Sequence, residues 1–125
     1  MPVKGSELPE LGEIERGLKD FQRRTAKAVF DQLYKRARST HRFLVADEVG
    51  LGKTLIARAV IARTLHHLWD QVQRIDVVYI CSNADIARQN ITRLNVLGEE
   101  GKVLPTRITL LPINLTFATQ LCKDV

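Results

Sequence analysis

Residues 46–54 read Ala-Asp-Glu-Val-Gly-Leu-Gly-Lys-Thr, and this loop lies between two apolar runs. The run before it, 43–46, has the length and composition of a strand, whereas the run after it, 55–69, is typical of a helix. A glycine-containing loop that ends in Gly-Lys-Thr between a strand and a helix is the usual form of a phosphate-binding loop. We therefore predict that these residues form a P-loop.

The chemistry of this loop follows from its residue types. Glycine has no Cβ, so its backbone can adopt positive φ and approach phosphate oxygens closely. Lys53 would place an ammonium beside the β and γ phosphates, and we predict it to be the catalytic residue. Thr54 would offer its hydroxyl to Mg²⁺ at the start of a helix. The predicted nucleotide-binding residues of the loop are Asp47, Glu48, Gly50, Leu51, Gly52, Lys53 and Thr54.

Asp47 occupies the position at which the general loop pattern has its first glycine. Aspartate tolerates left-handed backbone better than most residues, so the turn can persist. The variant Asp-Glu-x-Gly-x-Gly-Lys-Thr resembles the first motif of the superfamily-two helicases and translocases, the DEAD/DEAH-box-like ATPases, and most of all their chromatin-remodeller type. The resemblance runs from Leu18 to about Leu111 and implies an ATP-dependent motor that acts on nucleic acid.

An upstream segment, 18–30, resembles the stretch that such ATPases place before the P-loop. By that resemblance Gln22 hydrogen-bonds adenine and favours ATP over GTP. A carboxamide suits this role because it has both a donor and an acceptor. On its own, a glutamine at a helix start is more often a solvated polar residue.

A downstream segment, 77–89, reads as a buried strand followed by a helix, and it resembles the family's second block. The resemblance implies that Ser82, Asn83 and Gln89 contact the nucleic-acid backbone. Alternatively, Ser82 or Asn83 simply caps the helix, with Asp85 in its first turn. Both interpretations remain open, because a helix N-terminus can serve both purposes.

The alternation of helices and apolar runs predicts an α/β P-loop NTPase fold, in which helices layer a parallel sheet. We expect a polar leader over 1–17 and a partial ATP-binding domain over 18–125, with a further strand at about 107–111. The sheet is expected to be incomplete, because no apolar run after the loop ends in Asp-Glu to hold Mg²⁺ and activate water.

The expected function is thus the ATP-binding N-terminal portion of a helicase-like, nucleic-acid-dependent ATPase, with ATP and Mg²⁺ as cofactors. Hydrolysis would belong to the parent protein, and this chain alone would bind ATP without turnover. The alternatives are a non-catalytic ATP-binding or regulatory module, an inert truncated remnant and, more remotely, a small P-loop kinase.

Composition adds weaker constraints. The chain has 19 Lys and Arg against 14 Asp and Glu, a net charge of +5 that suits a polyanionic partner such as DNA or RNA. Basic residues cluster on one helical stretch, where a solvated face is favoured over a specific nucleic-acid contact. They are Arg23, Arg24, Lys35, Arg36 and Arg38.

Cysteine and histidine usage predicts a reducing compartment and no structural metal. Cys81 and Cys122 form neither a disulfide framework nor a zinc pattern. His66 and His67 are adjacent on a predicted helix, so they point about 100° apart and could not share a metal. Without a secretion signal or a long apolar run, we expect a cytoplasmic protein with no membrane contact.

Overall fold

The computed structural model describes residues 8–73, 75 and 77–96. Within these ranges the regular structure is helical. It comprises α1 (Leu11–Arg16), α2 (Asp20–Phe30), a π-helical segment (Asp31–Lys35) that continues α2, α3 (Lys53–Leu68) and α4 (Ala84–Leu94).

Helix α3 is the central element, because α1, α2 and α4 all pack against it. The core contains Leu18, Ala26, Ile56 and Ala59, and Val45 from the loop preceding α3 packs against its edge. Ala26 and Ala59 are completely buried. A methyl side chain lets two helix backbones approach closely, so these alanines allow α2 to lie tightly on α3.

Helix α2 forms because its start and its apolar face are both well specified. Lys19 at the N-cap is extended, and its backbone N–H donates to Gln22 Oε1 at 2.9 Å. This bond satisfies one of the amide donors that a helix start leaves without a partner. Its buried residues recur at helical spacing and face α3. They are Gln22, Ala26, Val29 and Phe30.

The π-helical segment ends where Arg36 N donates to Asp31 O at 3.0 Å. Aromatic contacts join this segment to the end of α3. The ring of Phe30 lies 5.2 Å from that of Tyr34 and 5.6 Å from that of His67, between centroids. These contacts hold the widened turn in place against the last turn of α3.

The predicted leader 1–17 contains α1, which packs on α3. Glu15 forms an ion pair with Arg63 of α3, and both side chains are largely buried. His66 Nε2 lies 2.6 Å from Pro9 O, to which it donates. The division of the chain at residue 17 stays a prediction.

The predicted parallel sheet, and with it the α/β layered fold, is wrong for the part of the chain that the structure describes. Neither the apolar run 43–46 nor the run 77–81 forms a strand. Their side chains are largely solvent-exposed, with Leu44 at 83%, Val78 at 79% and Ile80 at 87%. The described architecture is a set of helices around α3.

The predicted strands do not form because an apolar run favours extended backbone and burial but does not specify the neighbouring strand with which it would pair. A strand exists only when a neighbour supplies its N–H and C=O groups. The sequence pattern contains no information on that pairing. Neither run forms a ladder with a neighbour in the described structure, and Val45 is the residue of the first run that packs against the core.

Other expectations met mixed outcomes. The helix predicted after the loop is present as α3. Leu55, the first residue of the apolar run 55–69, is 43% exposed. The predicted strand at 107–111 lies outside the described residues. No helix in the described ranges has both the length and the apolar character needed to cross a membrane.

A pair of isoleucine truncations distinguishes this architecture from the predicted sheet. Ile56 is 1% exposed and Ile80 is 87% exposed. We expect Ile56→Ala to lower the free energy of unfolding by about 2–5 kcal/mol, because it leaves a cavity in the core. Ile80→Ala should change it by less than about 0.5 kcal/mol. Urea unfolding followed by circular dichroism measures both, and a large loss for Ile80→Ala would indicate a buried strand at 77–81.

Candidate phosphate-binding loop

The loop before α3 has the backbone conformation that the glycines were predicted to allow. Gly50 has φ +86° and Gly52 has φ +79°, both in the left-handed region. No non-glycine residue in the described ranges adopts positive φ, so Asp47 does not use the left-handed tolerance considered above. The two glycines therefore make the turn that carries the chain into α3.

The side chain of Lys53 forms hydrogen bonds with the backbone of its own loop. Its ammonium donates to Asp47 O at 2.7 Å and to Glu48 O at 2.9 Å. An ammonium has three N–H donors, so one remains for a further acceptor. Since the side chain is exposed, that donor is open to an anion from solvent.

The start of α3 adds a second source of positive potential. Gly52 is its N-cap and offers no side-chain acceptor to the first-turn amides. Leu55 N and Ile56 N donate to Gly52 O, which leaves the amides of Lys53 and Thr54 without a backbone partner in the described structure. The helix dipole concentrates partial positive charge at the same end. The first turn also contains no acidic residue that would compete with an anion.

Gln22 joins α2 to this loop. While its Oε1 accepts from Lys19 N, its Nε2 donates to Leu51 O at 2.9 Å. The residue is only 5% exposed. The predicted base-reading residue is thus brought to the loop, but its carboxamide already makes one bond with each of its two polar atoms.

Gln22 also explains why the residue at 52 is a glycine. A Cβ built at Gly52 would lie 2.4 Å from Gln22 Nε2, too close for the two atoms to coexist. At Gly50 the same addition meets nothing within 4 Å. Gly52 is therefore constrained both by its φ and by space, whereas Gly50 is constrained by φ alone.

Two oxygen groups near the ends of the loop are of the kind that Mg²⁺ prefers. Asp47 Oδ2 is inaccessible to solvent and has no hydrogen-bond partner in the described structure. The half-buried Thr54 lies in the first turn of α3. No cluster of three or more His, Cys, Asp or Glu side chains suited to a metal occurs among the described residues. The donor set therefore fits an ion that arrives with phosphate oxygens as ligands.

The residues predicted to contact nucleic acid lie at and beyond the start of α4. Asn83 is the N-cap, and its Oδ1 accepts from Asp85 N at 2.9 Å and from Ile86 N at 3.1 Å. This is the capping arrangement that the sequence left open as the alternative. Ser82 and Gln89 are exposed, with no side-chain hydrogen bond to other described residues.

The structure thus brings together the predicted loop residues and Gln22. Ser82 and Asn83 precede α4, and Gln89 lies within it. Sequence reasoning missed the backbone carbonyls that organise the loop, Asp47 O, Glu48 O and Leu51 O. It also missed the donor Lys19 N. Backbone partners of this kind leave no signal in residue type, apart from the helix-start spacing of Lys19 and Gln22.

Comparison with known proteins adds no relative. No protein-family model matches the chain, and no curated protein or solved structure matches it significantly.

Two glycine substitutions test the loop geometry. Gly50→Ala should lower the free energy of unfolding by about 1–2 kcal/mol, the usual cost of left-handed backbone for an L-residue. Gly52→Ala should cost more, by a further ~1–3 kcal/mol, because it also displaces the buried Gln22 carboxamide from its partners. Urea unfolding of the two variants compares them directly, and equal losses would contradict the contact between Gly52 and Gln22.

Proposed function

We propose that the chain binds ATP with Mg²⁺ at the loop 47–54, as part of a helicase-like, nucleic-acid-dependent ATPase. The observation that carries this proposal is the loop itself, in which Gly50 and Gly52 both have positive φ immediately before the uncapped start of α3. Amides, helix dipole and the Lys53 ammonium then converge at one end of α3. Three sources of positive potential suit a polyphosphate.

In this proposal each loop residue has a distinct task. The free N–H of Lys53 takes a phosphate oxygen while its other two donors keep the loop closed on Asp47 O and Glu48 O. Thr54 supplies a hydroxyl to Mg²⁺.

For Gln22 the contacts support a positioning role. Its Oε1 and Nε2 each hold a backbone group, on Lys19 and Leu51 respectively, and its side chain is buried. Contact with adenine would have to use the remaining lone pair and N–H of a group that has little access to solvent. We therefore propose that Gln22 maintains the conformation of the loop and affects nucleotide affinity through that conformation.

Hydrolysis and nucleic-acid contact belong to the same proposal. By the resemblance, ATP turnover requires an apolar strand that ends in Asp-Glu after the loop. No apolar run in this sequence has that ending, so binding without turnover is expected. The nucleic-acid strand would contact Ser82, which precedes α4, and Gln89 in the middle of that helix, with Asn83 ordering the helix start. We also propose a cytoplasmic location for the protein, from its cysteine usage.

Calorimetric titration with Mg-ATP tests the loop. Wild-type chain should bind, and Lys53→Ala should lose at least tenfold in affinity, because a charge-assisted bond to phosphate contributes about 1.5–3 kcal/mol. Arg93→Ala is the matched control, since it removes an exposed cation on α4. No binding by a folded wild-type protein would refute the proposal. Phosphate release above background in the same samples would contradict binding without turnover.

The positioning role of Gln22 makes a separate prediction. Gln22→Glu retains an acceptor for Lys19 N but removes the donor to Leu51 O and adds a charge beside that carbonyl. We expect the affinities for Mg-ATP and Mg-GTP to fall by the same factor, because the loop binds only the phosphates that the two share. Paired titrations measure this, and a larger loss for ATP would show that Gln22 reads the base.

A further inference from the structure

A second concentration of positive charge lies on the solvent side of α2 and the π-helical segment, away from the start of α3. It is an open cleft of about 480 Å³, which we call the basic cleft. The residues that line it are Arg24, Lys27, Ala28, Asp31, Lys35 and Arg36. We propose that the basic cleft binds the phosphate backbone of nucleic acid without regard to base sequence.

The charge balance of the cleft is strongly positive. Four cationic side chains surround a single carboxylate, that of Asp31. Lys27 Nζ lies 2.5 Å from Asp31 Oδ2, and Lys35 Nζ lies 3.9 Å from Asp31 Oδ1. One carboxylate cannot neutralise both lysines, so the cleft keeps an excess of positive charge even before its arginines are considered.

Arg24 and Arg36 supply that further charge. Both are exposed, and neither forms an ion pair or a side-chain hydrogen bond with the other described residues. A guanidinium offers several donors in a planar fork that matches two phosphate oxygens. The two arginines are therefore the side chains of the cleft best suited to phosphate.

The ionisation of Asp31 is settled by its neighbours. The hydrogen bond from Lys27 holds the pKa of this carboxyl below its usual value, with Lys27, Lys35 and Arg63 adding favourable charge and burial opposing it. Asp31 is thus ionised at neutral pH. It orients the two lysines at the expense of one unit of positive charge.

The geometry favours an extended anion over a small one. Arg24, Lys27, Asp31 and Lys35 recur at intervals of three or four residues, so they form a stripe on one face that runs about 16 Å along the helix. Duplex DNA carries one negative charge per about 1.7 Å of its axis, so such a stripe faces several phosphates at once. The opposite face of α2 is buried on α3, which keeps this stripe on the solvent side.

The composition of the cleft indicates contact with phosphates and not with bases. Its lining includes no aromatic side chain on which a base could stack. Binding that depends on phosphates alone is insensitive to sequence and strongly weakened by salt. This inference concerns a different surface from the nucleotide loop and does not rest on ATP binding there.

The first test compares two variants that differ in charge at Ala28, which lines the cleft. Ala28 is exposed, so Ala28→Glu and Ala28→Gln place side chains of nearly equal size there without disturbing the core. We expect Ala28→Glu to weaken binding of a fluorescein-labelled 20-base-pair DNA duplex by about fivefold or more, measured by anisotropy at 50–150 mM salt. Ala28→Gln should bind nearly as wild type. Equal affinities for the two variants would overturn the proposal.

The second test counts phosphate contacts. Arg24→Gln combined with Arg36→Gln should reduce the slope of log K against log salt by about two units, because each lost contact contributes about 0.9. Arg16→Gln combined with Arg42→Gln is the matched control, since it removes two exposed arginines outside the cleft. Equal slopes for the two double variants would refute the assignment.

Removal of the Asp31 carboxylate should change duplex affinity in the opposite direction. Asp31→Asn removes the one negative charge of the cleft and frees both lysines, so duplex affinity should rise severalfold. Thermal unfolding of each variant confirms that the fold persists. Displacement of the duplex by polyglutamate at equal charge concentration would identify the cleft as a site for acidic proteins and overturn its assignment to nucleic acid.

Discussion

The close packing of α2 on α3 is the constraint on which the rest of the structure depends. It rests on side chains with almost no exposure, chiefly Ala26 on α2 with Ile56 and Ala59 on α3. Alanines at this contact let the two backbones approach, and a larger residue at either would push them apart. Because Gln22 lies one turn before Ala26, the same packing delivers its carboxamide to the loop that precedes α3.

A single helix thereby organises two surfaces of different chemistry. The buried side of α2 contacts the loop 47–54 through Gln22, which donates to Leu51 O. Its solvent side carries the basic cleft. The aromatic contact between Phe30 and His67 joins the end of α2 to α3.

Hydrogen bonds within the loop 47–54 determine which of its polar groups remain available for the proposed anion. The carbonyl oxygens of Asp47 and Glu48 carry partial negative charge and would repel an anion. Both accept hydrogen bonds from the Lys53 ammonium. The amides of Lys53 and Thr54 at the start of α3 keep no backbone acceptor in the described structure, and Gly52 has no side chain to cap them. Donors are thus kept free at the helix end while acceptors are consumed.

The sequence by itself determined the local features of this protein. Gly50 and Gly52 identified the positions of left-handed backbone, the apolar periodicity after the loop identified α3, and Asn83 before Asp85 identified a helix start. Each of these depends on interactions within a few residues, so residue type is enough to predict it.

Only the tertiary structure decided what touches what across the chain. In the structure, 43–46 and 77–81 have no strand partners, and Leu55 is exposed. Gln22 donates to Leu51 O, and Arg24 and Arg36 line one cleft. These outcomes depend on pairing and packing between residues that are distant in sequence. An apolar run or a basic residue specifies what kind of neighbour it favours, but the neighbour itself is chosen by the packing of the whole chain.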